Sequence, residues 1–126
     1  MSQTLHTVAV IGGGTMGAGI VEVAASAGHS VLLFDISAEA ITRAIDGIAQ
    51  RLNARVSRGK VSAEQAQALL ARIAPAIELT QLADAQLVIE AASERLEIKK
   101  ALFSELAEIC SPSALLTSNK IGRAHV

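Results

Sequence analysis

Three glycines near the start of the chain have the residue type and spacing most directly suited to chemistry. Gly12, Gly14 and Gly17 form a G-x-G-x-x-G pattern directly after a short apolar run at residues 7–11. In such a pattern the first glycine makes a tight turn, the second lets the backbone approach a pyrophosphate, and the third lets a helix pack closely on a strand. The helix start then offers free N–H groups to phosphate. The pattern therefore predicts a dinucleotide-binding loop.

Asp35 stands eighteen residues after Gly17, at the end of a second apolar run. A carboxylate in that position accepts hydrogen bonds from the adenosine ribose and repels a 2′-phosphate, which favours NAD over NADP. The alternative is that the glycines only form a turn and that Asp35 only caps the next helix. Spacing, order and residue type agree on the first interpretation, so we predict NAD as the cofactor. The predicted binding residues are Gly12, Gly14, Thr15, Met16, Gly17 and Asp35.

Strand-like apolar runs alternate with helical stretches along the chain. The pattern predicts strands at residues 7–11, 30–34, 76–79, 87–89 and 114–117, and helices at 16–27, 38–57, 62–72 and 93–109. Such alternation is typical of an α/β fold, here a Rossmann doubly wound parallel sheet in the order 3-2-1-4-5 with helices on both faces. The two helices between strands two and three form a predicted helical hairpin, inserted after strand two, that projects from the sheet.

Composition narrows the class of protein. The chain has 126 residues, 51% of them hydrophobic, which suits a single domain with a buried core. A net charge of −1 provides no global basic excess for nucleic acid. The longest apolar runs fall far below the ~18 residues of a membrane-spanning helix, and the polar N-terminus does not resemble a secretory signal. The lone cysteine, Cys110, fits a reducing compartment, so we expect a cytoplasmic protein without nucleic-acid or membrane partners.

Several blocks of sequence resemble the NAD-binding domain of 3-hydroxyacyl-CoA dehydrogenases. They are the glycine block at 12–20 with Ala-Gly-His at 27–29, the stretch LVIEAASERLEIKKALF at 87–103, and LLTSN at 115–119. The resemblance covers about residues 5–119, and a helical hairpin after strand two also belongs to the family's pattern. The sequence at 58–62 and 95–99 is most similar to bacterial members of phenylacetate degradation, which oxidise 3-hydroxyadipyl-CoA.

The resemblance implies an oxidoreductase that converts (3S)-3-hydroxyacyl-CoA to 3-oxoacyl-CoA with NAD, in fatty-acid or phenylacetate catabolism, and that is a homodimer in its full length. It implies that Glu94 and Lys99 lie near the nicotinamide and ribose half of the cofactor, and that Ser118 and Asn119 are candidates for substrate contact. Structural roles stay open, because a first-turn carboxylate also favours a helix dipole and solvated lysines are common on helices.

Six of the eleven basic residues fall between residues 43 and 72 of the predicted hairpin, where only two acidic residues oppose them. They are Arg43, Arg51, Arg55, Arg58, Lys60 and Arg72. The i, i+4, i+7 spacing puts Arg51, Arg55 and Arg58 on one helical face. Guanidinium and ammonium groups suit the phosphates of CoA, and in the family this hairpin helps to hold CoA. We therefore predict CoA contacts from Arg51, Arg55, Arg58 and Lys60, with a solvated basic face as the alternative.

The resemblance ends at Asn119, before the family's catalytic histidine and the glutamate that orients it. We therefore expect residues 1–119 to be an NAD-binding domain that is incomplete at its C-terminus, with the C-terminal substrate and dimerisation domain absent. Residues 120–126, KIGRAHV, match a translated sequencing adapter and are predicted to be non-native; a divergent native C-terminus is the alternative. His125 lacks the surroundings of the family's histidine, so the fragment is predicted to be inactive alone.

Two other functions fit part of the pattern. Another 3-hydroxyacid dehydrogenase, of the 3-hydroxyisobutyrate type, would share the glycine loop, although Glu94, Lys99 and the basic hairpin favour the acyl-CoA type. A non-catalytic NAD-binding module made of one Rossmann domain would also share the loop. A gene that continues past Asn119 into the family's catalytic segment would exclude the module.

Overall fold

The computed structural model describes residues 6–91, 96–110 and 115–118. Within them, five strands form one parallel sheet. The strands are β1 (Thr7–Ile11), β2 (Ser30–Phe34), β3 (Ile73–Ala76), β4 (Leu87–Glu90) and β5 (Leu115–Ser118). Their order, β3-β2-β1-β4-β5, confirms the predicted order. Because all pairs are parallel, the carboxyl ends of the strands lie along a single edge, where ligands bind in open α/β sheets.

The connections between the strands are mostly helical. The helices are α1 (Thr15–Ser26), α2 (Ala38–Ser57), α3 (Ala63–Ala71) and α4 (Leu96–Ile109), with a short 3₁₀ turn at Leu79–Leu82. The first three helices agree with the predicted bounds to within one residue at each end. Side-chain caps start α2 at Ser37 and α3 at Ser62, and glycines with positive φ follow α1 and α2, Gly28 at 100° and Gly59 at 73°.

Side chains of the strands alternate between two hydrophobic clusters, one on each face of the sheet. Val8 and Val10 pack in a cluster with α1, α2 and α3. Ala9 and Ile11 pack in a second cluster with the 3₁₀ turn and α4. Since β1 is buried on both faces, its sequence is apolar throughout rather than alternating. No helix among the described residues combines the length and the apolar character needed to cross a lipid bilayer.

The third strand lies earlier in the chain than predicted. We expected it at residues 76–79, beyond Pro75, but β3 spans Ile73–Ala76 and contains this proline. The described sheet ends at β3, which pairs only with β2, and a strand at the edge of a sheet tolerates a residue without an N–H donor. The residues expected to continue the strand enter the 3₁₀ turn instead.

The helical hairpin of α2 and α3 packs on the sheet rather than projecting from it. From α2, Ile41, Ala44, Ile48 and Leu52 are buried in the cluster that also contains Val31 and Leu33 of β2. From α3, Ala66 and Leu69 join the same cluster. The hairpin is therefore part of the domain core, and its position relative to α1 is determined by packing.

Candidate functional site

The glycine loop makes a tight turn at the carboxyl end of β1. Gly12 has a φ of 115°, which favours glycine, and its amide donates a 2.8 Å hydrogen bond to the carbonyl of Phe34 in the neighbouring strand. A Cβ built at Gly17 would lie 1.8 Å from the carbonyl oxygen of Gly12. The first and third glycines of the pattern therefore have the predicted roles, a turn and a close approach of α1 to β1.

The second glycine leaves open space in front of α1. A Cβ built at Gly14 would meet nothing within 4 Å, and this residue caps α1 without any side-chain hydrogen bond. Thr15 and Met16 are exposed in the first helical turn. The helix N-terminus thus presents N–H groups and the positive end of its dipole to a space where a phosphate group fits.

Asp35 connects this loop to the end of β2. Its Oδ2 atom accepts a 2.7 Å hydrogen bond from the amide of Gly13, and Oδ1 accepts one of 2.8 Å from the amide of Ser37. The carboxylate is part-buried and lies beside the glycine loop. This is the position predicted for a group that binds the adenosine ribose.

Gly13 is a site residue that the sequence pattern missed. Its amide binds Asp35, and a Cβ at this position would lie 2.9 Å from the carbonyl oxygen of Ala40 in the first turn of α2. The G-x-G-x-x-G pattern treats this position as variable, so the pattern carries no signal for it. The run of three glycines was the available indication that the backbone is crowded there.

Two of the predicted cofactor and substrate residues lie in the second half of the described chain, one in α4 and one in β5. Lys99 lies in α4, and Ser118 ends β5 in register with Glu90 at the end of β4. Because these strands end at the same edge as β1, the backbone of Ser118 belongs to the edge that carries the glycine loop. Glu94, Asn119 and the predicted tail at 120–126 lie outside the described residues.

The four hairpin residues that were predicted to contact CoA divide into two kinds. Arg58 and Lys60 are exposed where α2 ends. Arg51 and Arg55 instead face α1, where both bind Glu22. Glu22 belongs to none of the sequence motifs, although one carboxylate in the apolar stretch of α1 is a signal that could have identified it.

A cleft of about 450 Å³ lies between α1 and α2 and begins at the glycine loop. The loop contributes Gly13, Gly14 and Thr15 to its lining, and the helices contribute Glu22, Arg43 and Arg51 among others. Two arginines and the start of a helix give this cleft groups that bind anions. In the described part of the chain, acidic, histidine and cysteine side chains form no group of three or more suited to a metal ion.

Comparison with known proteins identifies the family. The family model for the 3-hydroxyacyl-CoA dehydrogenase NAD-binding domain matches residues 7–121. The chain belongs to this family. A 3-hydroxyadipyl-CoA dehydrogenase of Escherichia coli (strain K12) is 66% identical over 119 residues, which are 94% of this chain and 25% of the relative. A 3-hydroxybutyryl-CoA dehydrogenase of Bradyrhizobium diazoefficiens is 40% identical, covering 94% of this chain and 41% of the relative.

Solved structures agree with this assignment. A crystal structure described as 3-hydroxybutyryl-CoA dehydrogenase from Escherichia coli K12 superposes with a TM-score of 0.89 at 66% identity, covering 93% of this chain and 25% of the other. The chain thus spans a quarter to two-fifths of the length of these relatives. Membership in the 3-hydroxyacyl-CoA dehydrogenase family decides against the 3-hydroxyisobutyrate alternative.

NAD, the cofactor of this domain family, fits the residues present. The open space at Gly14 admits a pyrophosphate next to the uncapped start of α1. Asp35 offers a carboxylate to the ribose at the neighbouring strand end. The chain is therefore an NAD-binding domain.

Proposed function

We propose that this domain holds NAD in a dehydrogenase that oxidises (3S)-3-hydroxyacyl-CoA to 3-oxoacyl-CoA. The observation that carries the proposal is the hydrogen bond from the Gly13 amide to Asp35, which joins the pyrophosphate loop to the ribose-binding carboxylate. When bound, NAD accepts the hydride from C3 of the substrate. The chain's own residues bind and orient the cofactor, and family resemblance supports Glu94 and Lys99 for its nicotinamide half.

Similarity also supports a narrower substrate and setting. The relative named 3-hydroxyadipyl-CoA dehydrogenase shares 66% of its aligned residues with this chain, so a 3-hydroxyadipyl-CoA or similar acyl-CoA is the proposed substrate. The proposed setting is phenylacetate or fatty-acid catabolism in the cytoplasm, with the full-length enzyme acting as a homodimer. Ser118 and Asn119 are proposed to contact the substrate at the sheet edge.

For CoA we propose the surface between α1 and the hairpin. The cleft that begins at the glycine loop is lined by Arg43 and Arg51, and Arg55, Arg58 and Lys60 continue the basic surface along α2. Phosphate oxygens are strong acceptors for guanidinium and ammonium groups. The phosphates of CoA are therefore suited to this surface, while the acyl end would reach the sheet edge.

Cofactor choice tests the proposal directly. We expect isothermal titration calorimetry of the chain to give a lower Kd for NAD than for NADP. Asp35→Asn keeps one acceptor oxygen but removes the charge, so the Kd for NAD should rise by about tenfold or more. The preference for NAD over NADP should narrow, because the side chain no longer repels a 2′-phosphate. Asp84→Asn is the matched control, because Asp84 is an exposed carboxylate before β4 and should leave both values unchanged. Tighter binding of NADP by the wild-type chain would overturn the assignment.

A further inference from the structure

The carboxylate of Glu22 lies between two arginines of the hairpin. Glu22 is on α1 and is only 9% exposed. Its Oε1 accepts hydrogen bonds from Nε and Nη2 of Arg51, at 3.2 and 3.1 Å, and its Oε2 lies 2.9 Å from Nη1 of Arg55. Both oxygens of this buried group are thus paired with guanidinium groups, as buried polar groups require.

The arginines differ from Glu22 in their exposure. Their side chains are 48% exposed for Arg51 and 43% for Arg55, so each guanidinium has one side on the carboxylate and another towards solvent. Nη1 of Arg51 lies beside Gly47, at 3.6 Å from the position that a Cβ atom would occupy on this glycine. Gly47 and Arg51 both line the cleft between α1 and α2. The carboxylate therefore determines where the guanidinium of Arg51 stands in this cleft.

We propose that Glu22 is a positioning residue for CoA, acting through Arg51. An arginine side chain loses conformational freedom when it is ordered, and here that ordering precedes ligand binding because Glu22 already holds the side chain. Arg55 supplies the second positive charge that the buried carboxylate needs. This inference rests on the proposed function, because it assumes that the cleft binds the phosphates of CoA.

Charge alone predicts the opposite effect. Glu22 is an anion close to a surface that would bind a polyanion, so its neutralisation should strengthen CoA binding if only the net charge matters. If Glu22 positions Arg51, its neutralisation should weaken CoA binding. The sign of the change therefore separates a positioning role from a purely electrostatic one.

The test measures the Kd of free CoA and of NAD by isothermal titration calorimetry. For Glu22→Gln we expect the Kd of CoA to rise about threefold to tenfold, with that of NAD within about twofold of wild type. Glu64→Gln is the matched control, since Glu64 is an exposed glutamate on α3. Like Glu22→Gln, this substitution removes one negative charge, but it does so at a residue that is not paired with Arg51. It should therefore not weaken CoA binding.

A double variant separates positioning from general stabilisation. In an Arg51→Gln background, we expect Glu22→Gln to leave the Kd of CoA within about twofold, because the side chain through which it acts is gone. Glutamine is chosen at Arg51 because a new carboxylate beside buried Glu22 would be repelled. Glu22→Asp keeps the charge but shortens the side chain by one methylene. This variant should fold even if Glu22→Gln does not. Its Kd for CoA should lie between those of the wild type and Glu22→Gln.

The outcomes separate this proposal from the CoA site itself. If Arg51→Gln leaves CoA binding unchanged, the cleft is not the CoA site and both ideas fail. If Arg51→Gln weakens binding while Glu22→Gln strengthens it or leaves it unchanged, the CoA site stands and the positioning role of Glu22 is wrong. Equal effects of Glu22→Gln in the presence and absence of Arg51 would also overturn the positioning role.

Discussion

At the scale of single residues, the carboxylate of Asp35 is held in position before any ligand binds. Backbone amides on both sides, from Gly13 and Ser37, hold its two oxygens. A carboxylate has about four acceptor positions, so two hydrogen bonds leave capacity for ribose hydroxyls. Substituting Asp35 would therefore remove the proposed ribose contact and would also release the amides of Gly13 and Ser37, and both effects would weaken NAD binding.

Cys110 provides a residue-scale prediction about pH. Burial raises the pKa of its thiol above the ordinary value of 9.0, and the thiol donates a hydrogen bond to the carbonyl of Leu82 at 3.4 Å. As pH rises, the unfolded chain loses this proton before the folded one does. The thiol's contribution to stability is therefore complete below pH 9 and falls as pH rises above it.

Urea unfolding at several pH values between 8 and 10 measures this contribution in the wild type and in Cys110→Ala. We expect the alanine variant to start less stable, because it leaves a small cavity, but to lose less stability over this range than the wild type. Equal losses of stability in the two proteins would contradict this prediction. They would show that the thiol is un-ionised in both the folded and the unfolded chain, or that it is solvated in the folded chain.

At the scale of elements, the packing of α1 on β1 depends on Gly17. A methyl group there would meet the carbonyl oxygen of Gly12, and backbone cannot move aside as a side-chain end can. We expect Gly17→Ala to lower the free energy of unfolding by about 1–3 kcal/mol and to weaken NAD binding by displacing the loop. Chemical denaturation and calorimetric titration measure the two effects.

Gly19 gives the matched control on the same helix. It is exposed, and a Cβ there would meet nothing within 4 Å. Gly19→Ala should stabilise the chain by about 1 kcal/mol, since alanine favours a helix interior over glycine, and should leave NAD binding unchanged. Similar destabilisation by both substitutions would contradict the close approach at Gly17.

The same elements show what sequence could and could not predict. The unit of β1, α1 and β2 was predictable because a local pattern encodes it: two apolar runs, spaced glycines and a terminal aspartate. The position of β3 was not, because Pro75 argues against a strand unless the strand is known to end the sheet. A lone carboxylate in the apolar stretch of α1 marks Glu22 as unusual, but its pairing with Arg51 and Arg55 was beyond prediction, since it depends on how α2 packs against α1.

At the scale of the whole molecule, α1 connects the cofactor loop to the hairpin. Its first turn forms the cofactor loop with Gly14, and its middle holds the hairpin through Glu22. A cofactor at the loop and a CoA molecule along the hairpin would therefore meet at the cleft that begins at the loop, but the ion pairs of Glu22 lie further along the helix. This arrangement lets the two proposed binding sites be separated by substitution, because no residue of the ion pair belongs to the loop.

The last prediction concerns activity of the chain tested by itself. The described histidines, His6 and His29, precede β1 and β2, and His29 accepts a hydrogen bond from the amide of His6. They therefore lie at the amino ends of the strands, opposite the glycine loop, where neither can take a proton from a substrate beside NAD. The family resemblance implies a catalytic histidine beyond Asn119. A missing general base typically costs about 10²–10⁴-fold in rate.

We therefore expect residues 1–126 to bind NAD but to form no NADH from 3-hydroxybutyryl-CoA or 3-hydroxyadipyl-CoA in a spectrophotometric assay. Binding of NAD by the same sample shows that the loop is folded, and the Escherichia coli relative serves as the active control. Residues 1–126 align with a quarter of the Escherichia coli relative, so a polypeptide of these residues alone would also lack any substrate positioning that the rest of such a protein supplies. Turnover above about 1 s⁻¹ would mean that this chain carries its own base and that His125 must be considered for that role.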